Sequence, residues 1–279
     1  MDSIRVGVAL SGGTAKTIAH IGVLEALEDA GIPIACVAGT SGGAVIGALY
    51  CAGFTIADLK ALARGVRWKN LARLSFPRLG LLSNDTIKRF LSDLLGDRTF
   101  DQLKIPLVAV GTNLLTGERA LFTAGSVALA AQVSSTIPHL FAPVEIDGEM
   151  YVDGGMVEFL PLGALRDAFQ PDVAIGVNLG MRGRLPRPRN LIHMAMLLGT
   201  IVSRRSAKPT EGLADILIRP DTRLFHPFDL EASAGLIDAG REAALQEVPR
   251  LIEIIKGRDE NWRPRPIVRG AEGTGRRES

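Results

Sequence analysis

Three short stretches of the chain carry residue types that together could transfer an acyl group. The first is Gly39-Thr40-Ser41-Gly42-Gly43, a G-x-S-x-G pattern. It follows the apolar run 34–38 and precedes the apolar segment 44–52, so it reads as a strand-to-helix turn. A serine on so sharp a turn takes up a strained backbone and projects its hydroxyl clear of the sheet. Flanking glycines let strand, helix and substrate approach closely. The next N–H, on Gly42, points into the same space at the positive end of a helix. The second stretch is Ser11-Gly12-Gly13-Thr14-Ala15-Lys16-Thr17. Consecutive N–H groups there could cradle an anion or an oxyanion. The spacing fits neither a P-loop nor a dinucleotide fingerprint, because Leu10 stands where a P-loop has its first glycine and Ala15 where it has its second. The third is Asp153-Gly154-Gly155, after Glu149-Met150-Tyr151-Val152. It can present a carboxylate into a cleft; taken alone it reads more readily as a turn in which Asp153 caps.

Nucleophile, oxyanion donors and a carboxylate base are the parts of an acyl-transfer site. A Ser-His-Asp triad would also need a histidine, and there are four: His20, His139, His193 and His226. None lies in a motif. His20 falls in a helix, where burial or capping suits it; His193 falls in a basic helical stretch; His226 lies between Phe225 and Pro227.

These side chains need a frame. Apolar runs at 4–10, 34–38, 107–112, 119–122 and 173–177 read as strands, and 18–30, 44–52, 85–95, 191–205 and 230–255 as helical. Alternating strands and helices with continuous apolar strands imply an α/β fold, a largely parallel sheet covered by helices. Ligands in that class sit at the carboxyl ends of strands, where Ser41 and the 11–17 loop fall. Residues 66–82 fit neither period and read as a loop or cap over that edge.

The composition narrows the classes. In 279 residues, 47% are hydrophobic and 22% charged, which is ordinary globular usage and excludes a wholly disordered chain. A net charge of +2 argues against a dedicated nucleic-acid binder. Two cysteines, Cys36 and Cys51, make no disulfide framework and read as small buried groups. No run reaches the roughly 18–20 apolar residues of a membrane span, and the first residues do not read as a signal peptide, so a cytoplasmic protein is expected. Charge is uneven. Residues 182–210 hold seven Lys or Arg and no acid, around an apolar 191–202. That is the pattern of a surface in peripheral contact with anionic lipid (182–208), or of a core-covering helix with solvated basic ends. From 256 onward charged residues, Gly, Pro264 and Pro266 dominate. The expected organisation is one folded domain, 1–256, and a disordered basic tail, 257–279.

The order of glycine loop, G-x-S-x-G and D-G-G resembles the patatin-like phospholipases, and the likeness runs from about residue 4 to 218. Ala19-His20-Ile21-Gly22-Val23-Leu24-Glu25-Ala26-Leu27 resembles the first helix of the bacterial members. Thr112-Asn113 with Thr116-Gly117-Glu118 is similar to their central strand pair. Ser134-Ser135-Thr136-Ile137-Pro138 and Phe141-Ala142-Pro143-Val144 resemble the approach to their aspartate. The resemblance implies a three-layer α/β/α sandwich with a central, mainly parallel sheet. It implies a serine acyl hydrolase with a Ser-Asp dyad, no catalytic histidine, no metal and no cofactor. Ser41 would be the nucleophile and Asp153 the base. The oxyanion would be held by Gly12, Gly13, Thr14 and Gly42, with Gly39, Gly43, Lys16, Gly154 and Gly155 supporting the motifs. The substrate would be a lipid acyl ester, phospholipid or lysophospholipid. The family loop is G-G-G-x-[RK]-G; Gly12, Gly13 and Lys16 fit it, whereas Thr14 and Thr17 stand in place of glycines. If Thr14 forced another backbone, about 10²–10³ in rate would be lost per donor. His139 stands where bacterial members usually have glycine and is a candidate pocket residue. An ordinary aspartate, pKa near 3.9, is a poor base at neutral pH, so the site must desolvate Asp153. Two other readings stay open: a serine hydrolase using His193 or His226, and a catalytically silent lipid- or acyl-binding protein on the same fold.

Overall fold

The computed structural model describes residues 4–67, 73–74, 82–83, 85–180 and 183–264. Five strands run parallel in the order β10 (Ile216–Ile218), β9 (Val173–Val177), β1 (Val6–Leu10), β2 (Ile34–Thr40) and β5 (Leu107–Asn113). Three antiparallel strands complete that sheet: β6 (Arg119–Phe122), β7 (Val144–Ile146) and β8 (Glu149–Asp153). A separate two-residue pair joins β3 (Arg73–Leu74), inside the 66–82 stretch, to β4 (Leu82–Ser83) at its end. The rest of that stretch beyond Arg67 lies outside the described residues.

Strand side chains alternate between two cores, as the two-residue strand period requires. Val6, Val8, Leu10, Val37, Leu107 and Ile175 enter one. The smaller Ala9, Cys36, Ala38 and Ala174 enter the other, with Val108 and Val110. Helices cover both: α1 (Ala19–Asp29), α2 (Gly42–Cys51) and α8 (Ser233–Arg258) on the first face, α6 (Leu162–Phe169) on the second. The chain therefore forms the helix-covered, largely parallel sheet expected from its pattern, in the three-layer α/β/α arrangement that the resemblance implies. Both cysteines are buried and unbridged. The remaining helices are α3 (Ile56–Gly65), α4 (Asp85–Leu95), α5 (Val127–Ser134) and α7 (Leu191–Ala207).

Helices α1 and α8 touch through backbone. A Cβ on Gly22 would lie 1.9 Å from the Ile237 carbonyl oxygen, and one on Gly240 1.9 Å from that of Ala19. Neither neighbour is a flexible side-chain end, so any substituent must push the helices apart. Gly240→Ala is expected to lower unfolding free energy by about 3 kcal/mol, read as a fall in the urea midpoint at unchanged slope.

Order extends beyond the expected domain boundary at 256. Helix α8 continues to Arg258, which pairs with Asp215 at 2.5 Å. Trp262 is buried in the first core. The segment's charge and prolines hide that single aromatic anchor. Residues 265–279 of the expected tail lie outside the described residues.

Candidate active site

Strand β5 is the ruler of the site. Val110 pairs with Thr40 of β2 and with Leu121 of β6, so β2 and β6 lie on opposite edges of it. Gly111 pairs with Asp153 of β8 and with Ala120 of β6. Strand β8 thus follows β2 along the same edge of β5, running the opposite way. The two strands meet nearly end to end, and Ser41 and Asp153 are the residues at the junction.

Ser41 takes φ 57° and ψ −132°. Positive φ at a non-glycine residue costs about 1–3 kcal/mol and persists only when the surroundings enforce it. Here they do. The Ser41 N–H donates to Ser134 Oγ at 2.8 Å, and that hydroxyl donates to the Val110 carbonyl at 2.6 Å. The Thr40 hydroxyl donates to the Glu158 carbonyl at 2.8 Å. A Cβ on Gly39 would sit 2.4 Å from Ala44 Cα, and one on Gly43 2.3 Å from the Leu10 carbonyl oxygen. Both flanking glycines of the motif are thus required by close backbone approach of β2 and β1 to α2.

Asp153 is held as tightly. Its N–H donates to the Thr136 carbonyl at 2.8 Å, and its carbonyl accepts from Thr112 Oγ1 at 2.9 Å. A Cβ on Gly154 would lie 2.2 Å from the Val110 carbonyl oxygen, so the chain after Asp153 turns directly against β5. The carboxylate accepts the Gly155 N–H at 2.7 Å. Burial pushes its pKa up to about 6, against the Ser41 hydroxyl beside it and the Gly155 N–H, which both favour the charged form. Desolvation is thus what brings this carboxyl toward the range of a working base.

The 11–17 loop faces the junction, with one correction to the expected donors. The Gly12 N–H is already committed to the Phe159 carbonyl at 3.1 Å. Gly12 serves space instead: a Cβ there would lie 3.1 Å from Ser41 Cβ and 2.8 Å from the Phe159 ring. Among the described residues, no protein acceptor engages the N–H of Gly13, Thr14 or Gly42. Thr14 adopts φ 52° despite its side chain. Its hydroxyl is shared between the carbonyls of Gly13 and Pro227, and the Ala15 N–H donates to the same Pro227 carbonyl at 2.9 Å. Thr17 Oγ1 donates to the Thr14 carbonyl at 2.6 Å. The two threonines therefore tie the loop into its positive-φ conformation rather than diverting it. Lys16 is buried; desolvation draws its pKa below the usual lysine value, and nearby Asp221 offsets part of the shift.

The histidines stand elsewhere. His20 is buried behind the loop, its Nε2 donating to the Ser11 carbonyl at 2.8 Å, with burial pushing its pKa down to about 4. His193 Nδ1 accepts the Arg189 N–H, and His226 Nδ1 accepts the Phe228 N–H, each within its own turn. His139 is exposed, at φ 69°. Of the four, none lines the cavity beside Ser41. That cavity, about 160 Å³, is lined by Ser41 and Gly42 together with Val45, Leu49, Leu59, Val66, Phe90 and Phe141. Val66 is the first residue of the 66–82 stretch, and Leu59, Leu62 and Ala63 come from α3, a helix absent from the sequence reading. Among the described residues, no three His, Cys, Asp or Glu side chains converge as metal ligands would.

The chain is similar to known proteins. The family model described as patatin-like phospholipase matches residues 8–166. An NTE family protein of Mycobacterium tuberculosis is 36% identical over 181 residues, 64% of this chain and 50% of the relative. Neuropathy target esterase sws of Drosophila grimshawi is 34% identical over 166 residues, 56% of this chain and 11% of the relative. Lysophospholipase nte1 of Aspergillus fumigatus is 29% identical over 181 residues, 63% of this chain and 12% of the relative. The aligned region thus spans half or less of these relatives. Among solved structures, VipD from Legionella pneumophila superposes with a TM-score of 0.60 at 14% identity, over 90% of this chain and 67% of that one, a likeness of fold.

Proposed function

The chain belongs to the patatin-like phospholipase family, and from that premise we propose that it is a serine acyl hydrolase of phospholipase or lysophospholipase type. The observation that carries this reading is a buried carboxylate beside a strained serine that lines an apolar cavity. Asp153 takes the Ser41 proton as Oγ attacks the ester carbonyl. The N–H groups of Gly13, Thr14 and Gly42 hold the oxyanion, at the positive end of α2. The tetrahedral intermediate collapses and breaks the acyl–oxygen bond, and the leaving alcohol takes the proton from Asp153. Water, deprotonated by the same carboxylate, then releases the fatty acid from Ser41. The cavity takes the acyl chain, whose transfer from water contributes about 0.8 kcal/mol per methylene.

The free N–H groups and the bound threonines favour this over a silent lipid-binding protein, since the loop keeps its donors. The test is a fluorophosphonate probe with the adduct mapped by mass spectrometry, beside a chain-length series of esters. A single adduct on Ser41 is expected. Ile46, which lines the cavity, gives a second readout: Ile46→Trp should shift the preferred chain several carbons shorter while labelling of Ser41 persists. A folded protein that takes no label would overturn the hydrolase reading.

A further inference from the structure

Helix α7 leaves from the carboxyl edge of the sheet, by way of the loop after β9. Its inner face is anchored beside the candidate dyad. Ser206 Oγ accepts the Phe159 N–H at 3.1 Å and donates to the Gly155 carbonyl at 2.8 Å, in the turn that directly follows Asp153. Its outer face is apolar and bare. Leu191, Met194, Leu198, Ile201 and Val202 are all exposed, Leu191 at 75% and Leu198 at 56%. At helical pitch these five fall within an arc of about 100°, a single stripe. They make up five of the eleven exposed large hydrophobics among the described residues, so the stripe is a concentration and not scatter.

Cations frame the stripe at both ends. Arg184, Arg187 and Arg189 precede it, Arg205 and Lys208 close it, and all five are exposed. Among the described residues, no carboxylate pairs with any of them. No described helix is long and apolar enough to cross a membrane. We propose that the outer face of α7 and its flanking arginines and lysine form an interfacial docking surface for an anionic lipid bilayer. The stripe enters the acyl boundary, the cations meet the head groups, and the anchor through Ser206 presents the Ser41 edge to the lipid. The proposal rests on the lipid-hydrolase reading for its purpose, and on exposure and charge for its evidence.

The test is flotation of the full chain carrying Ser41→Ala, so that lipid is not consumed, with phosphatidylcholine vesicles and with phosphatidylcholine–phosphatidylglycerol vesicles. Binding to the anionic vesicles is expected to be at least about tenfold tighter and to weaken with salt. Adding Leu191→Ser and Leu198→Ser should cost about tenfold or more for each leucine. Adding Arg205→Glu and Lys208→Glu should cost at least about fivefold per cation, on anionic vesicles only. Melting curves serve as the fold control for each. Equal binding to both vesicle types, or variants that bind like the parent, would overturn the proposal. So would a dimer that dissociates in the leucine variant without vesicle binding, which gives the stripe to a second copy. Fluorophosphonate labelling of the wild-type chain separates the two readings. Labelling without vesicle binding sinks the docking surface alone, and vesicle binding without labelling sinks the hydrolase alone.

Discussion

Ser41→Ala is expected to abolish fluorophosphonate labelling and to lower kcat/KM for ester substrates by about 10⁴-fold or more. The fold should survive it. Alanine keeps the Cβ and the N–H that Ser134 Oγ accepts, and the positive φ costs alanine what it costs serine. Loss of activity with an unchanged melting temperature is thus the expected pair of results. Ser41→Gly sharpens the test, since glycine takes φ 57° without penalty. It should be equally inactive and more stable than wild type by about 1 kcal/mol. Ester hydrolysis retained at wild-type rate in either variant would remove Ser41 from the chemistry.

Asp153→Asn should cost about 10⁴-fold in kcat, as loss of the carboxylate does in other serine hydrolases, and should also stabilise the protein. The wild-type carboxyl titrates at about 6 in the folded chain, against an ordinary value near 3.9. Between those values the folded state holds more protons than the unfolded one. Stability therefore falls as pH rises from about 4 to about 6 and stays reduced above that. The gap corresponds to on the order of 3 kcal/mol. Asparagine carries no charge to desolvate, and its amide oxygen can still accept the Gly155 N–H. Equilibrium unfolding at pH 8 should show the variant more stable than wild type, with the slope between pH 4 and 6 gone. Wild-type kcat/KM should rise with pH and level off above about 6, because only the ionised carboxylate can take the serine proton. A wild-type rate that stays flat from pH 5 to 8 would mean that another group is the base.

Much of this arrangement is written in short-range signals. Continuous apolar runs located β1, β2, β5 and β9 and the helices beside Ser41, because a doubly covered parallel strand is apolar on both faces. Helix α3 was missed, although its start carries a local signal. Thr55 and Asp58 form a reciprocal cap, each side chain accepting the other's backbone N–H, and the spacing T-x-x-D announces it. What could not be read is the meeting of β2 and β8. It depends on β5 pairing with both along one edge, Val110 with Thr40 and Gly111 with Asp153, and no local period encodes that. The spent N–H of Gly12 is equally non-local, since its acceptor is Phe159. Two threonines in place of glycines looked like damage to the loop. The carbonyl that holds Thr14 belongs to Pro227, which lies far away in the chain, so sequence alone could not show their compensation.

The central place of β1 has a consequence for the order in which the molecule can be completed. Its neighbours are β2, from the next stretch of chain, and β9, which pairs Val6 with Val173. Its covering helix α1 packs against Gly240 of α8. A ribosome making this chain must therefore extend it by some hundred and seventy residues past β1 before that strand has both partners. Only when α8 emerges does α1 gain its cover. Until then the nascent product carries an open strand edge and a bare apolar helix face, the two features that invite aggregation. Shortened versions ending near residue 166 would keep every residue of the dyad and the loop, yet remain in that unfinished condition.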